Sequence, residues 1–402
     1  MERGVRRLLQ QLDASYRDRV VLIVSPATFG GSWISLEELL AAHCKSARYV
    51  VATLGKYRTR GQCIAYQIPY LRYDKYGFIA TNPARGFVYQ LPLTVVSTIL
   101  AIVYRPKAII GNGILTCLFA LPAAKITGSS LIVSYHSLFS RQRPFTKLLA
   151  RALARHFRHV FANSYGTKAD IAAIIPDTKV TVVEHWANDV FFEKVDRDRV
   201  RKALNVGNQF VVLYVGRLDR EKQFDKIMRV SVLLRDREDI AFLFVGRGEF
   251  DQTIERLSRI CPRVRYLGYI CDRERLHEIY AAADIVCAYG EETYVARPGI
   301  EALASSTPIF LSARPAILLK VADGVTIPSS IIPREVGWIV DWDDVLGTAK
   351  MLLEIKERGT ESARWDCRAY ALARHSSKNL QVAIARLEEC LPALKGIEGL
   401  RA

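Results

Sequence analysis

Short apolar runs recur along the chain, and each is followed by a glycine-containing turn and then by a segment with helical periodicity. The stretch Phe210–Lys222 shows this pattern clearly, because five of its first six residues are β-branched or aromatic and Gly216 ends the run. The next residues, roughly 221–234, carry an apolar stripe broad enough to cover one face of a sheet. The order of strand, turn and helix predicts an α/β fold with a parallel sheet.

The same unit is repeated in the second half of the chain. The apolar run that begins at Ala241 ends in Gly246 and Gly248, which predicts a strand followed by a tight turn. Further buried strands are predicted over 264–270, 285–288 and 309–311.

The first half has its own strands and helices. Residues 19–26 form an apolar run, Gly30 and Gly31 follow it, and apolar residues at helical spacing then predict a helix over 33–43. A further apolar run over 131–136 predicts another buried strand. Both halves therefore predict parallel sheets covered by helices.

One segment without charge, residues 86–104, is long enough to cross a bilayer. It contains Pro92, Gln90 and hydroxyl residues, so we expect a buried helix, with membrane insertion as the alternative. A second uncharged run, 108–124, is interrupted by glycine, asparagine and proline and is also expected inside the protein.

Composition places the chain among globular proteins, because 50% of the residues are hydrophobic and 24% are charged. Its eight cysteines are scattered and form no Cys-x-x-Cys pair, so neither a zinc site nor a disulfide framework is predicted. The first 19 residues are basic and polar rather than signal-like, and we expect a cytoplasmic protein.

Charge is distributed unevenly along the chain. Residues 1–190 contain 24 Lys and Arg against 10 Asp and Glu, whereas the rest of the chain is nearly balanced. A basic N-terminal half suggests an anionic partner: a membrane surface, a lipid phosphate or pyrophosphate, an acidic glycan or a nucleic acid. Nucleic acid is the least favoured of these because no recognition motif accompanies the charge, and none is expected as a partner.

Several residues are candidates for chemistry. Arg217 and Lys222 lie beside a glycine turn and a helix N-terminus, where they could hold a diphosphate, although two solvated surface charges are the alternative. His136 ends a predicted strand, where open α/β sheets place ligand-contacting groups, but a lone histidine is also commonly structural.

A group of basic residues follows His136. Spacings of four, four and three place its members on one predicted helix face, which is either solvated or a contact for a membrane surface or an acceptor phosphate. The group comprises Lys147, Arg151, Arg155 and Arg158.

Five motifs in the second half occur in a characteristic order. They are Gly-Arg-Leu-x-x-Glu-Lys at 216–222, Val-Gly-x-Gly at 245–248, Leu-Gly-Tyr at 267–269, Leu-x-x-x-Tyr-Ala-x-Ala-Asp at 276–284 and Glu-Ala-Leu-Ala-x-x-x-Pro at 301–308. In this order they resemble the nucleotide-binding half of the family 4 glycosyltransferases, which are retaining enzymes. The resemblance covers about 140 residues.

The resemblance implies the GT-B fold, in which two Rossmann-like domains face an interdomain cleft. It places a basic acceptor-side domain at 1–195, a nucleotide-sugar domain at 196–375 and a C-terminal helix at 376–402 that crosses back to the N-terminal domain. The last helix itself is expected over about 376–394.

The resemblance also implies roles for individual residues. The donor is a nucleotide diphosphate-sugar, a co-substrate rather than a cofactor, and no metal is expected. Arg217 and Lys222 would stabilise the leaving diphosphate, with Gly216, Gly246 and Gly248 in the donor site and His136 near the donor sugar. Gly30 and Gly31 would face donor phosphate or acceptor, or form an ordinary turn.

The family's Glu-x7-Glu motif is only half present. Glu301 matches the second glutamate, which binds the nucleotide ribose, but Thr293 stands where the first should be, next to Glu292. Either Glu292 reaches the donor sugar, or the Thr293 hydroxyl does so more weakly. Amides near Gly299 and Ile300 could meet the diphosphate, and Arg297 is either a further phosphate contact or a surface arginine.

The expected function is transfer of a sugar, of hexosyl type, to a glycan or lipid-linked acceptor, either in the cytoplasm or at the cytoplasmic membrane face. Two alternatives remain: a GT-B enzyme of another type, such as a nucleotide-sugar epimerase, and a non-catalytic relative that only binds nucleotide or a partner.

Overall fold

The computed structural model describes residues 19–26, 31–43, 47–54, 64–67, 83–136, 139, 144–291, 294–312, 332–333 and 335–391. These residues form two compact units. Unit 1 comprises 1–163, 167–183 and 380–402, and unit 2 comprises 164–166 and 184–379. Each unit contains a parallel sheet with helices on both faces.

The described residues of unit 1 form a parallel sheet of seven strands in the order β3-β2-β1-β4-β5-β6-β7. Most of its strand residues are buried, as the continuous apolar runs predict for a sheet covered on both faces. The strands are β1 (Val20–Ser25), β2 (Arg48–Thr53), β3 (Ile64–Gln67), β4 (Ala108–Asn112), β5 (Ser130–Tyr135), β6 (Phe157–Ala162) and β7 (Val180–Val182).

Helices cover both faces of this sheet. The helices α2, α3 and α4 share one apolar core with one face, and α1 packs on the opposite face. Their bounds are α1 (Gly31–His43), α2 (Pro83–Tyr104), α3 (Ile114–Thr127), α4 (Pro144–Ala154) and α5 (Tyr165–Ile171), with a 3₁₀ turn at Asp177–Lys179.

The uncharged segment forms α2, but the prediction that this helix is buried is wrong for one of its sides. Leu93, Leu100 and Ala101 pack into the core, whereas other large apolar side chains on the same helix are exposed. A helix that lies on a sheet has an outer side, and here that outer side is also apolar. No helix among the described residues is both long and apolar enough to span a membrane.

The final helix, α13 (Lys378–Cys390), belongs to unit 1 from residue 380 onward. Its Ala383 and Leu387 join the core beside α1. Arg19 forms an ion pair with Glu388 at 2.8 Å, and Glu388 also contacts His43. Residues close to the two ends of the described chain therefore hold this face of unit 1 together.

Unit 2 contains a sheet in the order β10-β9-β8-β11-β13-β14, and the short strand β12 pairs antiparallel with β11. The other pairings are parallel, as the sequence predicts. The strands are β8 (Phe210–Arg217), β9 (Ile240–Arg247), β10 (Val264–Gly268), β11 (Ile285–Glu291), β12 (Tyr294–Val295), β13 (Ile309–Ser312) and β14 (Gly337–Val340).

The helix after β8 begins later than predicted. Gln223 adopts a left-handed backbone conformation with φ of 54°, so helical geometry starts only at Phe224. The helices of unit 2 are α6 (Arg197–Ala203), α7 (Phe224–Leu233), α8 (Asp251–Ile260), α9 (Arg273–Ala282), α10 (Arg297–Ala304), α11 (Val345–Arg358) and α12 (Glu361–Arg374), with a 3₁₀ turn at Asp189–Phe192.

Asp284, the last residue of one sequence motif, has a structural role. Its carboxylate accepts hydrogen bonds from the backbone amide of Val211 at 2.7 Å and from Arg201 at 3.1 Å, and it also contacts Arg197. It thereby connects the start of β8 to α6. The cysteines that the structure describes are all free thiols.

Candidate active site

Glycines bring the turns after β8 and β9 into direct backbone contact. Gly216 and Gly246 are opposite each other in the register, and a Cβ on Gly246 would lie 1.8 Å from the Gly216 carbonyl oxygen. A Cβ on Gly248 would lie 2.3 Å from the carbonyl oxygen of Leu218. Only glycine fits at these two positions, so the two turns form one rigid rim at the carboxyl end of the sheet.

Arg217 and Lys222 lie on this rim, where two carboxylates accompany them. Arg217 pairs with Asp219 at 3.0 Å and with Glu221 at 2.8 Å, and Lys222 lies 3.8 Å from the same Glu221 oxygen. The Tyr214 hydroxyl donates to the Arg217 carbonyl oxygen at 2.8 Å and fixes the turn. The predicted cation pair is thus present, with two carboxylates that balance its charge.

The pKa shifts follow from this arrangement. Burial acts to lower the pKa of Arg217, but Glu221 and Asp219 outweigh it and the pKa is raised. Burial raises the pKa of Asp219, although Arg217 and the backbone amide of Lys222 act in the opposite direction. Arg217 is therefore a permanent cation at the rim.

Tyr289 is a site residue that the sequence analysis missed. The Lys222 ammonium group lies 4.3 Å from the centroid of the Tyr289 ring, a cation–π contact that joins the β8 turn to the end of β11. The signal was present in the sequence, because Tyr289 follows the predicted strand 285–288 directly. The ends of β8, β9 and β11 thus come together around Lys222.

Glu301 and Arg297 form a buried ion pair on α10. Arg297 donates from Nε to Glu301 at 3.0 Å, and the Tyr280 hydroxyl donates to the other carboxylate oxygen at 3.2 Å. Arg297 is 5% exposed, so the alternative of a surface arginine is wrong. The Arg297 guanidinium and the Tyr280 hydroxyl fix the orientation of this carboxylate, whose oxygens can each accept more than one hydrogen bond.

The first turn of α10 is closely packed. A Cβ on Gly299 would lie 2.6 Å from Val295 and 3.0 Å from Ala288, so glycine lets the helix approach β11 and β12. The amides of Gly299 and Ile300 donate to the Ala296 carbonyl oxygen at 2.9 and 3.4 Å. A phosphate at this helix start would have to share these amides with Ala296.

Unit 1 has its own group of polar side chains at the carboxyl end of its sheet. His136 follows β5 and is hydrogen-bonded to Ser134 at 2.8 Å, and Asn112, at the end of β4, donates to Ser25 at 3.0 Å. Burial lowers the pKa of His136 to about 4, so the imidazole is neutral near pH 7. Sequence analysis found His136 but not Asn112 or Ser25.

Three predicted site residues, Gly30, Glu292 and Thr293, lie outside the described residues. Gly31 is described and begins α1. In the described part of the chain, no three His, Cys, Asp or Glu side chains come together in a group that could hold a metal ion.

The prediction that four basic residues form one helical stripe is wrong. The helix α4 ends at Ala154, so Lys147 and Arg151 lie on it, Arg155 follows it and Arg158 lies on β6. Lys147 and Arg151 each lie 5.9 Å from the centroid of the buried Phe139 ring. The register of β6 against β5 shifts at Arg158. Burial raises the pKa of Cys390 on α13, and the positive charges of Arg386 and Arg158 act to lower it.

Two family models match the chain in succession. Residues 29–189 match the model described as Glycosyltransferase Family 4, and residues 196–371 match the one described as Glycosyl transferases group 1. The chain belongs to the family 4 glycosyltransferases. The resemblance found in the motifs is therefore confirmed.

Several curated proteins are similar to part of this chain. The D-inositol 3-phosphate glycosyltransferase of Corynebacterium aurimucosum is 30% identical over 163 residues, which cover 38% of this chain and 39% of that protein. The phosphatidyl-myo-inositol mannosyltransferase of Mycolicibacterium smegmatis is 28% identical over 165 residues, 39% of each chain. The chain thus spans about two fifths of the length of these relatives.

Solved structures confirm the fold over nearly the whole chain. Anabaena HepE, determined in complex with UDP and glucose, superposes with a TM-score of 0.71 at 18% identity and covers 92% of this chain and 99% of its own. The glycosyltransferase has the GT-B fold, as predicted, with one Rossmann-like sheet in each unit.

Proposed function

We propose that the protein transfers a sugar, of hexosyl type, from a nucleotide diphosphate-sugar to an acceptor, with retention of the anomeric configuration and without a metal ion. The acceptor is a polysaccharide or a lipid-linked molecule at the cytoplasmic membrane face. Supporting relatives include a phosphatidyl-myo-inositol mannosyltransferase and a protein solved with UDP and glucose.

The observation that carries the proposal is the position of Arg217 and Lys222 on the glycine rim of unit 2. When the bond between sugar and phosphate breaks, the leaving diphosphate gains negative charge while an oxocarbenium-like centre forms. Fixed cations at the leaving oxygens act where that charge develops. Arg217 can form a bidentate contact, and Lys222 acts as a point charge that Tyr289 positions.

The donor nucleotide would extend from this rim toward α10. Glu301 is proposed to accept hydrogen bonds from the ribose hydroxyls, because its carboxylate is buried and oriented by Arg297 and Tyr280. The carboxylate would keep the Arg297 bond while it accepts from the ligand. In unit 1, the neutral His136 is proposed to lie near the donor sugar, and Gly31 near phosphate or acceptor.

The test combines binding with turnover. Thermal-shift measurements against UDP, GDP, ADP and dTDP and their sugar conjugates identify the base, because a ligand bound only by the native state raises the Tm. Release of nucleotide from the stabilising conjugate is then followed with and without an excess of EDTA. Equal rates with and without EDTA support metal independence, and loss of turnover in EDTA contradicts it.

The same measurements separate the alternatives. Tight nucleotide binding without turnover in the presence of acceptor extracts indicates a non-catalytic relative. Conversion of the sugar moiety without any acceptor indicates an epimerase. No Tm shift with any nucleotide overturns the proposed donor site.

A further inference from the structure

A line of exposed apolar side chains runs along the outer side of α2. Spacings of four, four and three residues place them on one side of the helix, and they are 48–61% exposed. The line consists of Leu91, Val95, Ile99 and Ile102.

The neighbouring helices continue this surface. The helices α2, α3 and α4 pack on the same face of the unit 1 sheet, so their outer sides point the same way. Ile126 on α3 and Phe145 and Leu148 on α4 are 62–65% exposed. We call these seven side chains, on the three helices, the outer apolar surface.

The segment of the chain that carries these three helices has charges of one sign. Residues 75–169 include twelve lysines and arginines and no aspartate or glutamate. Arg105, Lys125 and Arg151, among others, are exposed at the ends or on the outer sides of the same helices. Burial lowers the pKa of His156, and the positive charges of Lys125 and Arg155 lower it further.

We propose that the outer apolar surface docks on an anionic lipid bilayer, with α2 lying in the plane of the interface and its exposed side chains inserted among the acyl chains. Exposed apolar side chains accompanied by exposed cations are the composition that binds anionic membranes. A second copy of the chain fits poorly, because a self-contact would bring cations against cations.

This inference builds on the proposed membrane-side acceptor, but its test needs neither nucleotide nor sugar. Full-length protein is floated with vesicles of phosphatidylcholine alone and with vesicles that also contain about 30% phosphatidylglycerol. The wild type is expected to float with the anionic vesicles and to remain largely at the bottom with the neutral ones.

The deciding variant is the double substitution Val95→Ser, Ile99→Ser. We call it the stripe variant, because both residues belong to the apolar line along α2. Its matched control is Leu233→Ser, Ile260→Ser, which changes two exposed apolar residues of unit 2. The stripe variant is expected to lower the vesicle partition coefficient at least about tenfold, and the control to leave it unchanged. The Tm and far-UV circular dichroism of both variants verify that they are folded.

Three results would overturn the proposal. The first is a wild-type protein that does not float with anionic vesicles. The second is a stripe variant that floats as the wild type does, which would leave electrostatics alone as the cause. The third is a wild type that dimerises through this surface without binding lipid. A Tm shift with nucleotide in the stripe variant keeps the donor site separate from each of these outcomes.

Discussion

The Glu221 carboxylate contacts both cations of the rim: Arg217 pairs with one of its oxygens at 2.8 Å, and Lys222 lies 3.8 Å from the same oxygen. Without ligand, Glu221 therefore interacts with the same two cations that are proposed to bind the diphosphate. The cations are held in place but their charge is partly neutralised, so a ligand must compete with a residue of the protein.

Removing either cation should slow the reaction. Arg217→Ala and Lys222→Ala are each expected to raise the activation free energy for sugar transfer by about 2 to 4 kcal/mol and to weaken diphosphate binding. The matched control is Arg220→Ala, an exposed residue of the same turn. Steady-state kinetics check this, and wild-type kinetics in both variants would remove the two residues from the mechanism. Arg217→Lys should not restore the rate, because an ammonium cannot form the bidentate contact.

Neutralising Glu221 should have the opposite effect on ligand binding. Glu221→Gln removes a negative charge that competes for Arg217, so the Kd for the nucleoside diphosphate is expected to fall roughly three- to tenfold at low salt. Calorimetric titration at two salt concentrations measures it, and the gain should shrink as salt rises. A weaker Kd would instead show that Glu221 positions Arg217 for the ligand.

The buried pair on α10 should be costly to break. Glu301→Gln leaves the Arg297 guanidinium buried beside a neutral amide, and the free energy of unfolding is expected to fall by about 3 kcal/mol. Glu255→Gln is the control, because Glu255 and Arg259 form an exposed pair with the same i,i+4 spacing and should cost no more than about 0.5 kcal/mol. Urea denaturation compares the two, and equal losses would contradict the burial argument.

The glycine contact at the rim predicts a steric effect that can be separated from backbone strain. Gly246→Ala forces a methyl group against the Gly216 carbonyl oxygen and is expected to cost about 3 kcal/mol or more. Gly268→Ala has a left-handed φ of 71° but nothing within 4 Å of the new Cβ, so about 1 kcal/mol is expected. Similar Tm losses in the two variants would show that the rim relaxes.

Acid should destabilise the native protein through its buried histidines. Burial lowers the pKa of His375 to about 4, while its Nδ1 donates to the His185 carbonyl oxygen at 2.9 Å. Its folded pKa is below the unfolded value of about 6.5, so the stabilisation is complete above pH 6.5 and is lost as the pH falls toward 4. Between pH 7 and 5 this group should remove about 2 kcal/mol from the free energy of unfolding.

The check is the pH dependence of urea unfolding. His375→Gln cannot titrate and should flatten the slope between pH 7 and 5, whereas the more exposed His156→Gln should change the slope less. An unchanged slope in His375→Gln would contradict the assignment.

The sequence predicts the sheets well because their signals are local. Continuous apolar runs rich in β-branched and aromatic residues and ending in glycine, such as the one before Gly216, favour buried parallel strands, and these runs form β8 and β9. Arg217 is the last residue of β8, and Glu301 lies within α10.

Other features depend on what lies next to a residue in space. Arg297 is buried because Glu301 sits one turn later and Tyr280 packs from another helix, and no local pattern reports that. The prediction that the four basic residues share one helix face is wrong because β6 begins at Phe157, where tertiary packing overrides the helical spacing. We expected the outer side of α2 to be covered, but its apolar side chains are exposed. On a helix that is apolar on all sides, the hydrophobic pattern does not show which side faces the core and which faces solvent.

The packing of α13 in unit 1 has a consequence for biosynthesis. The strands of the first sheet leave the ribosome early, but Ala383 and Leu387, which complete the core beside α1, are made only after about 200 residues of unit 2. At about 5 to 20 residues per second this delay is about 10 to 40 seconds. Of the two units, the one whose synthesis begins earlier is thus completed later, and during that interval its unfinished face exposes apolar surface to solvent.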